Sequence, residues 1–190
     1  MATPAGTPAD RPRLLELLRT RSYRAGKVIL SSGKESDFYI DCKQTTLSAE
    51  GAALVGRLLF DAIRERFPGA RAVGGPTLGA DPMVAAIAVV SAQAGEPLDA
   101  FIIRKEPKGH GTAAWVEGMK NLGPDHPVVI VEDVVTTGGS SLKAIGHARE
   151  AGLRVLGAVV LVDRLEGGRE AIEAAGYPLF ALFTREDFLG

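Results

Sequence analysis

Residues 128–141 read VVIVEDVVTTGGSS, and this stretch decides the fold. Its first four residues, 128–131, form a continuous apolar run, which predicts a strand buried on both faces of a parallel sheet. Two carboxylates, Glu132 and Asp133, come next, followed by a loop of Thr, Gly and Ser residues and a helix predicted over 139–150. Ligands of open parallel sheets bind beyond the carboxyl ends of the strands, and the two acids fall at that edge. The stretch therefore predicts a strand, a ligand-binding turn and a helix, in that order.

The rest of the chain repeats this alternation. Apolar runs predict further strands at 70–74, 99–104, 153–162 and 179–183, and amphipathic or Ala-rich segments predict helices at 48–67, 82–94 and 169–175. Strands that alternate with helices indicate an α/β fold with a mostly parallel sheet covered on both faces. Residues 105–123 show no periodicity and are predicted as a long polar loop.

The N-terminal part of the chain is predicted to be a small addition to this sheet. Residues 1–9 are rich in Ala, Thr and Pro, which predicts a flexible tail. Residues 10–190 are predicted to form a single domain, in which 10–45 includes a short helix and two short strands at 27–30 and 38–41.

Composition argues against several classes of function. The 190 residues carry 22 Lys and Arg against 23 Asp and Glu, and a net charge of -1 argues against a protein held to nucleic acid by a basic surface. The single cysteine, Cys42, provides neither an intramolecular disulfide nor a cysteine-based zinc site. The longest fully apolar run, 83–90, is far shorter than the ~20 residues that span a bilayer. These observations predict a soluble, cytoplasmic protein that binds neither nucleic acid nor a membrane.

The loop at 136–140 has the composition of a phosphate-binding turn. Its residues, TTGGS, supply backbone N–H groups, hydroxyls and two positions without Cβ, and the following helix adds its positive N-terminal dipole. Carboxylates beside such a site suit a ligand that also carries hydroxyl groups, as a ribose does. The alternative is an ordinary turn in which Asp133 ties the loop and Ser140 caps the helix. The segment has neither the P-loop pattern nor the Gly-x-Gly-x-x-Gly pattern of dinucleotide sites.

A cluster of cations follows the predicted strand at 99–104. Arg104, Lys105, Lys108 and His110 lie within the sequence RKEPKGHG, at the same predicted edge of the sheet as the acids. Such a loop suits a strongly anionic leaving group, and its glycines would permit it to close over one. The alternative is a solvated, charged surface loop.

Two more segments end predicted strands at this edge. Arg164 follows the strand at 153–162, where its planar guanidinium could hold a carboxylate in a bidentate pair. The alternative for Arg164 is a structural ion pair with Asp163 or Glu166. Residues 74–82, GGPTLGADP, either let backbone N–H groups approach a ligand closely or form a plain turn. His126 and His147 are isolated in the sequence, and no functional role is assigned to them. Trp115 is interpreted as a packing residue, and the alternative is that it reports closure of the loop.

Together these segments resemble the type I phosphoribosyltransferases, in particular the members that act on orotate. The resemblance runs from Ser31 to Arg164 and implies a mostly parallel central sheet with helices on both faces and a small N-terminal hood. It implies transfer of the 5-phosphoribosyl group of phosphoribosyl pyrophosphate (PRPP) to orotate, which gives orotidine 5'-phosphate and pyrophosphate in pyrimidine (UMP) biosynthesis. Mg²⁺ would enter with PRPP, held mainly through PRPP and water, with no metal site in the protein.

The resemblance also implies roles for individual residues. Glu132 and Asp133 would hold the ribose hydroxyls, and 136–140 would hold the 5-phosphate. The implied PRPP-binding residues are Arg104, Lys105, Lys108, His110, Glu132, Asp133, Val134, Val135, Thr136, Thr137, Gly138, Gly139 and Ser140. The implied catalytic residues are Arg104, Lys108 and Asp133, and the implied orotate contacts are Thr136 and Arg164.

A homodimer that shares its basic loop is a further implication of the resemblance. Lys105 would serve its own subunit, whereas Arg104, Lys108 and His110 would reach the PRPP bound by the other subunit. The hood residues Phe38 and Tyr39 would pack over the orotate ring.

Some residues depart from the family pattern, and two other functions stay open. Ser31 and the pair Thr77 and Leu78 replace residues that many members use to contact substrate. A purine phosphoribosyltransferase is one alternative, although it would have no need for a carboxylate partner at Arg164. The other is a non-catalytic PRPP-sensing regulator that binds nucleic acid, which the net charge of -1 disfavours.

Overall fold

A computed structural model of the protein describes residues 6–29, 35–107 and 114–189. Its strands are β1 (Tyr23–Ile29), β2 (Glu35–Ile40), β3 (Ala72–Pro76), β4 (Asp99–Ile103), β5 (Val116–Glu117), β6 (Pro127–Val135), β7 (Arg154–Asp163) and β8 (Leu179–Thr184). Its α-helices are α1 (Asp10–Leu17), α2 (Lys43–Thr46), α3 (Ala49–Arg66), α4 (Asp81–Gln93), α5 (Gly139–Glu150), α6 (Gly168–Ala174) and α7 (Glu186–Leu189). A π-helical turn, Leu18–Ser22, follows α1, and a 3-10 turn, Met119–Asn121, follows β5.

Six of the strands form one sheet in the order β5-β4-β3-β6-β7-β8. All its neighbouring pairs are parallel except β4 and β5, which are antiparallel. The strands β1 and β2 form a separate antiparallel hairpin. The predicted α/β class, with a mostly parallel sheet and helices, is confirmed. Among the helices of the described ranges, none is long and apolar enough to cross a lipid bilayer.

The central strand β6 is buried on both faces. Val129 and Val131 pack in a cluster with residues of α3 and α4, whereas Val128 and Ile130 pack in a second cluster with residues of α5 and α6. All four side chains are fully buried. Burying a Val or Ile side chain stabilises a fold by about 1.5–3 kcal/mol. The continuous apolar run therefore marks the strand on which both helical layers pack, as the sequence predicts.

The prediction that β6 ends at 131 is wrong, because the strand continues to Val135. Its pairing with β7 extends through Glu132 opposite Val160 and ends with Val135 opposite Asp163. Backbone hydrogen bonds to β7 hold these residues extended although their side chains are no longer all apolar. Both acids consequently lie within the strand, where successive side chains point to opposite faces.

The N-terminal hairpin is fixed to the C-terminus of the chain by aromatic contacts. The ring of Phe38 lies 5.1 Å from that of Tyr23 and 5.6 Å from that of Phe188, measured between centroids. The strand β1 begins at Tyr23, earlier than the predicted start at 27. The predicted long loop at 105–123 also contains β5 and the 3-10 turn, neither of which has a periodic signal because each is so short.

A close approach between β3 and β6 yields a test of this packing. A Cβ at Gly75 would lie 1.9 Å from the carbonyl oxygen of Val131, whereas a Cβ at Gly69 would meet no atom within 4 Å. We expect Gly75→Ala to lower the free energy of unfolding by about 1–3 kcal/mol or more, since inserting atoms into a packed core forces the backbone to shift. Urea denaturation measures this, with Gly69→Ala as the control. Equal stability of the two variants would contradict the described contact.

Candidate active site

The two acids of β6 lie on opposite faces of the sheet. The carboxylate of Glu132 faces α5 and accepts hydrogen bonds from the hydroxyls of Ser140 and Ser141. Glu132 is 5% exposed, and this burial raises the pKa of its carboxyl, while the two hydroxyl donors oppose the rise. Glu132 therefore joins the strand to the first turn of the helix that carries the loop.

Asp133 faces the other way, toward the loop that follows β3. A Cβ at Gly79 would lie 2.4 Å from the carboxyl atoms of Asp133, so only glycine leaves room for the acid in this arrangement. One carboxylate oxygen accepts from the backbone N–H of Val134 at 3.0 Å. Burial raises the pKa of Asp133, and the positive charge of Lys43 is the largest effect that opposes this rise.

Lys43 is a site residue that the sequence analysis missed. Its Nζ lies 2.6 Å from Oδ1 of Asp41, and this hydrogen bond raises the pKa of Lys43. The one-turn helix α2 that carries Lys43 is too short to give a periodic signal. A lysine and an aspartate two positions apart after a hood strand is the only local sign of this arrangement.

The loop at 136–140 is seated on the turn before α6. Gly138 has φ of +80°, in the left-handed region that favours glycine, and it precedes the first turn of α5. A Cβ at Gly168 would lie 2.6 Å from the carbonyl oxygen of Thr136, and a Cβ at Gly138 would lie 2.8 Å from that of Gly168. Backbone thus packs directly on backbone, while Thr137, Gly139 and Ser140 remain exposed.

Of the two contacts that an ordinary turn would have, the structure has one. Asp133 does bond to the next backbone N–H, but Ser140 donates to Glu132 and makes no capping bond on α5. The predicted PRPP-binding residues Val134 and Val135 belong to β6, and Val135 is buried in the cluster under α5 and α6.

The described part of the basic cluster opens into a cleft of about 590 Å³ beside this loop. The cleft is lined by Pro76 and Thr77 after β3, by Ile103, Arg104 and Lys105 at the end of β4, by Trp115, and by Ser140, Lys143, Ala144 and His147 of α5. The guanidinium of Arg104 lies 3.1 Å from the carboxylate of Glu117, and Lys105 is exposed. Lys108 and His110 lie outside the described residues, as does Ser31.

Arg164 is held at the end of β7, next to the loop. Its backbone N–H donates to the carbonyl of Val135 at 3.0 Å, and the residue is only 7% exposed. The guanidinium lies 2.7 Å from the carboxylate of Glu166, so one of the two alternative ion pairs exists. Asp163 pairs with Arg169 at 3.2 Å.

The hood reaches this arginine. The guanidinium carbon of Arg164 lies 5.6 Å from the centroid of the Phe38 ring. Phe38 is fully buried and Tyr39 is half-buried. The structure therefore brings one of the two predicted hood aromatics against the predicted carboxylate-binding residue.

A mostly parallel sheet with two acids on its central strand, a glycine-bearing loop after them and a buried arginine at the same edge has the arrangement that the sequence predicts for a type I phosphoribosyltransferase. The sequence model of the "Phosphoribosyl transferase domain" matches residues 44–175. The chain belongs to the phosphoribosyltransferase family.

Several proteins that this chain resembles are named orotate phosphoribosyltransferase. The orotate phosphoribosyltransferase of Sorangium cellulosum (strain So ce56) is 52% identical over 181 residues, which cover 95% of this chain and 94% of that protein. A crystal structure of Mycobacterium tuberculosis H37Rv orotate phosphoribosyltransferase in complex with Fe(III) dicitrate superposes with a TM-score of 0.81 at 40% identity, covering 94% and 98% of the two chains. The same mycobacterial enzyme in complex with PRPP gives 0.78 at 37% identity, covering 95% and 99%.

The electrostatic role of Lys43 can be tested directly on Asp133. Because the charge of Lys43 favours the ionised form of that carboxyl, Lys43→Met is expected to raise the pKa of Asp133. A ¹³C NMR titration of the aspartate carboxyls measures the shift, with the signal assigned through Asp133→Asn. Lys120→Met removes an exposed lysine of the 3-10 turn and is the control. An unchanged or lower pKa in Lys43→Met would show that the lysine does not act on this acid.

Proposed function

We propose that this protein transfers the 5-phosphoribosyl group of PRPP to orotate, giving orotidine 5'-phosphate and pyrophosphate in pyrimidine (UMP) biosynthesis. The observation that carries the proposal is the place of Arg164, a buried cation bonded through its backbone to the strand that leads into the loop at 136–140. A carboxylate-binding group and an anion loop thus lie side by side, as a reaction between an orotate and a phosphorylated ribose requires. The names of the relatives agree with it.

The sugar phosphate is held by the end of β6 and by the loop. Thr136, Thr137, Gly138, Gly139 and Ser140 surround the 5-phosphate with backbone N–H groups and hydroxyls, and the N-terminus of α5 adds a favourable dipole. Asp133 accepts hydrogen bonds from the ribose hydroxyls. Glu132 contributes as a second acceptor once Ser140 or Ser141 turns its hydroxyl away.

The leaving pyrophosphate is neutralised by the cations at the end of β4. Arg104 and Lys105 line the cleft together with Thr77, and Lys108 and His110 complete the cluster in this proposal. Fixed positive charge lowers the barrier where negative charge develops on the leaving group. As the bond between C1 of ribose and the pyrophosphate oxygen breaks, C1 gains oxocarbenium character. A ring nitrogen of the orotate anion attacks C1 from the opposite side, so the reaction needs no nucleophile from the protein.

Mg²⁺ accompanies PRPP as part of the substrate in this proposal. In the described ranges, no group of three or more His, Cys, Asp or Glu side chains could hold a metal ion. Glu132 already accepts two hydroxyl donors, so Asp133 is the more accessible carboxylate for an ion that keeps most of its water. When bound, Mg²⁺ shields the pyrophosphate charge.

Orotate replaces Glu166 as the ion-pair partner of Arg164. The carboxylate of the substrate displaces that of Glu166 from the guanidinium of Arg164, and Thr136 provides a second contact. Glu166 is one-third exposed and regains water when it is displaced. A purine has no carboxylate for this exchange, so the ion pair disfavours the purine alternative.

The orotate contact is tested by substituting Arg164. Charge-assisted hydrogen bonds are worth about 1.5–3 kcal/mol, so Arg164→Ala should raise KM for orotate about 10- to 100-fold. Pyrophosphate release from PRPP and Mg²⁺ is measured with orotate, adenine or hypoxanthine as acceptor. The KM for PRPP should change far less than that for orotate. Release that does not depend on orotate, or that depends on a purine instead, would overturn the proposed reaction.

The homodimer is the second part of the proposal. An apolar groove of about 550 Å³ runs between α3 and α4, with Leu47 at 71% exposure and Val89 at 57% on its rim. Leu78, at the entrance of the loop after β3, is also 70% exposed. Large exposed apolar side chains of this kind support burial against a second copy of the chain. In such a dimer Arg104, Lys108 and His110 serve the PRPP of the other subunit.

Mixed dimers test the sharing of the basic loop. We expect Arg104→Ala, Lys108→Ala and Asp133→Asn each to lower kcat about 10²- to 10³-fold in homodimers. Coexpression of Arg104→Ala and Asp133→Asn subunits with different affinity tags allows heterodimers to be purified. One of their two sites combines an intact Asp133 with an intact Arg104 of the other subunit, so about half of the wild-type activity should return. Heterodimers as inactive as the homodimers would contradict the sharing, and a monomeric mass in analytical ultracentrifugation would contradict the dimer.

A PRPP-sensing regulator that binds nucleic acid is the remaining alternative. The net charge of -1 provides no general electrostatic attraction to a polyanion. Retention of the protein on RNA at physiological salt would favour this alternative.

A cytoplasmic location stays a prediction of the sequence.

A further inference from the structure

Two rings to which the sequence analysis assigns no site role form a stack beside the cleft. The indole of Trp115 and the imidazole of His147 lie 4.0 Å apart between centroids, with an angle of 9° between their planes. His147 belongs to α5, and its Nδ1 lies 3.3 Å from the carboxylate of Glu150 on the same helix. Trp115 immediately precedes β5, so the stack joins the edge of the sheet to α5.

The segment that begins at Trp115 holds Arg104 by two separate bonds. The carbonyl of Trp115 accepts from the backbone N–H of Arg104 at 2.8 Å. The carboxylate of Glu117 lies 3.1 Å from the Arg104 guanidinium. Both the backbone and the side chain of Arg104 thus depend on where 115–117 lies.

This segment depends on packing from neighbouring elements. β5 is two residues long and lies at the edge of the sheet, where it pairs with Ile102 and Ile103. So short an edge strand is marginal without such packing. Val116 packs in the hydrophobic cluster under α5 and α6, and the ring of His147 adds packing on Trp115. An aromatic stack contributes about twofold to tenfold to the equilibrium that favours it.

The helix on the other side of the stack carries the anion loop. One face of α5 lines the cleft. It consists of residues at positions i, i+3, i+4 and i+7 of the helix, namely Ser140, Lys143, Ala144 and His147. Ser140 is the last residue of the loop at 136–140, and His147 stacks on Trp115. The strands β4, β3 and β6 already join Arg104 to the phosphate loop through the sheet. The stack adds a second connection, from α5 to the segment that holds the side chain of Arg104.

We propose that Trp115 and His147 are positioning residues, whose stack fixes Arg104 relative to the phosphate loop and so preorganises the cation for the leaving pyrophosphate. The proposal rests on the role of Arg104 in the proposed function. It holds whichever subunit's PRPP the arginine serves, because the stack acts on the arginine within its own chain.

Steady-state kinetics of His147 variants test the proposal. His147→Ala should raise KM for PRPP about fivefold to tenfold and leave KM for orotate within about twofold, because loss of the stack allows Arg104 to move. His147→Phe keeps a flat ring on Trp115 without its nitrogens and should restore most of the affinity for PRPP. Arg149→Ala is the matched control, since Arg149 is exposed on the same helix and does not line the cleft.

A double-mutant cycle separates positioning from general damage to the fold. If the stack acts through Arg104, the double variant Arg104→Ala/His147→Ala should have the same kcat/KM for PRPP as Arg104→Ala alone. Independent, multiplicative losses would overturn the proposal, as would a His147→Ala enzyme with wild-type KM for PRPP. If Arg104→Ala keeps the wild-type kcat/KM for PRPP, both this inference and the proposed role of Arg104 fail, whereas a defective Arg104→Ala beside a normal His147→Ala overturns the inference alone.

Fluorescence reports the stack independently of activity. Trp115 is the only tryptophan of the chain, so its emission is assigned without ambiguity. His147→Ala uncovers one face of the Trp115 indole to water, so its emission should shift to longer wavelength than that of the wild-type protein. Arg149→Ala should match the wild type. Identical emission of wild type and His147→Ala would show that the rings do not stack in solution.

Discussion

The arrangement of the site depends on the alternation of side chains along β6 after its apolar run has ended. Because β7 continues to pair with β6 as far as Val135, Glu132 and Asp133 remain in the extended conformation and are directed to opposite faces. Had the strand stopped at 131, the two carboxylates could have turned toward the same side. The pairing with β7 thus directs one acid to α5, the helix that follows the loop at 136–140, and the other to the loop after β3.

Two different kinds of partner accompany this division. Burial raises the pKa of both acids, because removal from water disfavours a charged carboxylate. Neutral hydroxyls oppose that effect at Glu132, whereas the charge of Lys43 opposes it at Asp133. Glu132 is consequently tied into the protein, and Asp133 has the more open and more electrostatically supported carboxylate. The positive charge at Asp133 comes from an element, α2, that precedes the central sheet in the chain.

Features encoded locally were predictable from the sequence, and features that need a distant partner were not. The run at 128–131, the turn at 136–140 and the helix after it follow from local composition, since burial on two faces and the glycines of a turn each leave a mark on consecutive residues. The true end of β6 depends on backbone pairing with β7, which no property of Glu132 or Asp133 announces. Electrostatic effects between remote elements, such as that of the Lys43 charge on Asp133, likewise leave no periodic trace.

The edge of the sheet illustrates the same limit. β5 has two residues, too few for alternation to be recognised, and it lies within a stretch that is polar throughout. Trp115 and His147 are isolated in the sequence and meet only because the antiparallel return of β5 brings 115 alongside α5. The ion pair of Arg164, by contrast, was among the local alternatives, and the sequence could not decide between Asp163 and Glu166 because both lie within two residues.

The pair of Arg164 and Glu166 has a consequence for selectivity. A buried guanidinium left without a counter-charge would be costly, and Glu166 removes that cost before any ligand arrives. In the proposed reaction, an incoming carboxylate replaces that of Glu166, so the number of ion pairs at the arginine is conserved. A ligand without a carboxylate would have to break the internal pair with nothing in return. The arginine would therefore contribute to recognition by rejecting uncharged rings as well as by binding the charged one.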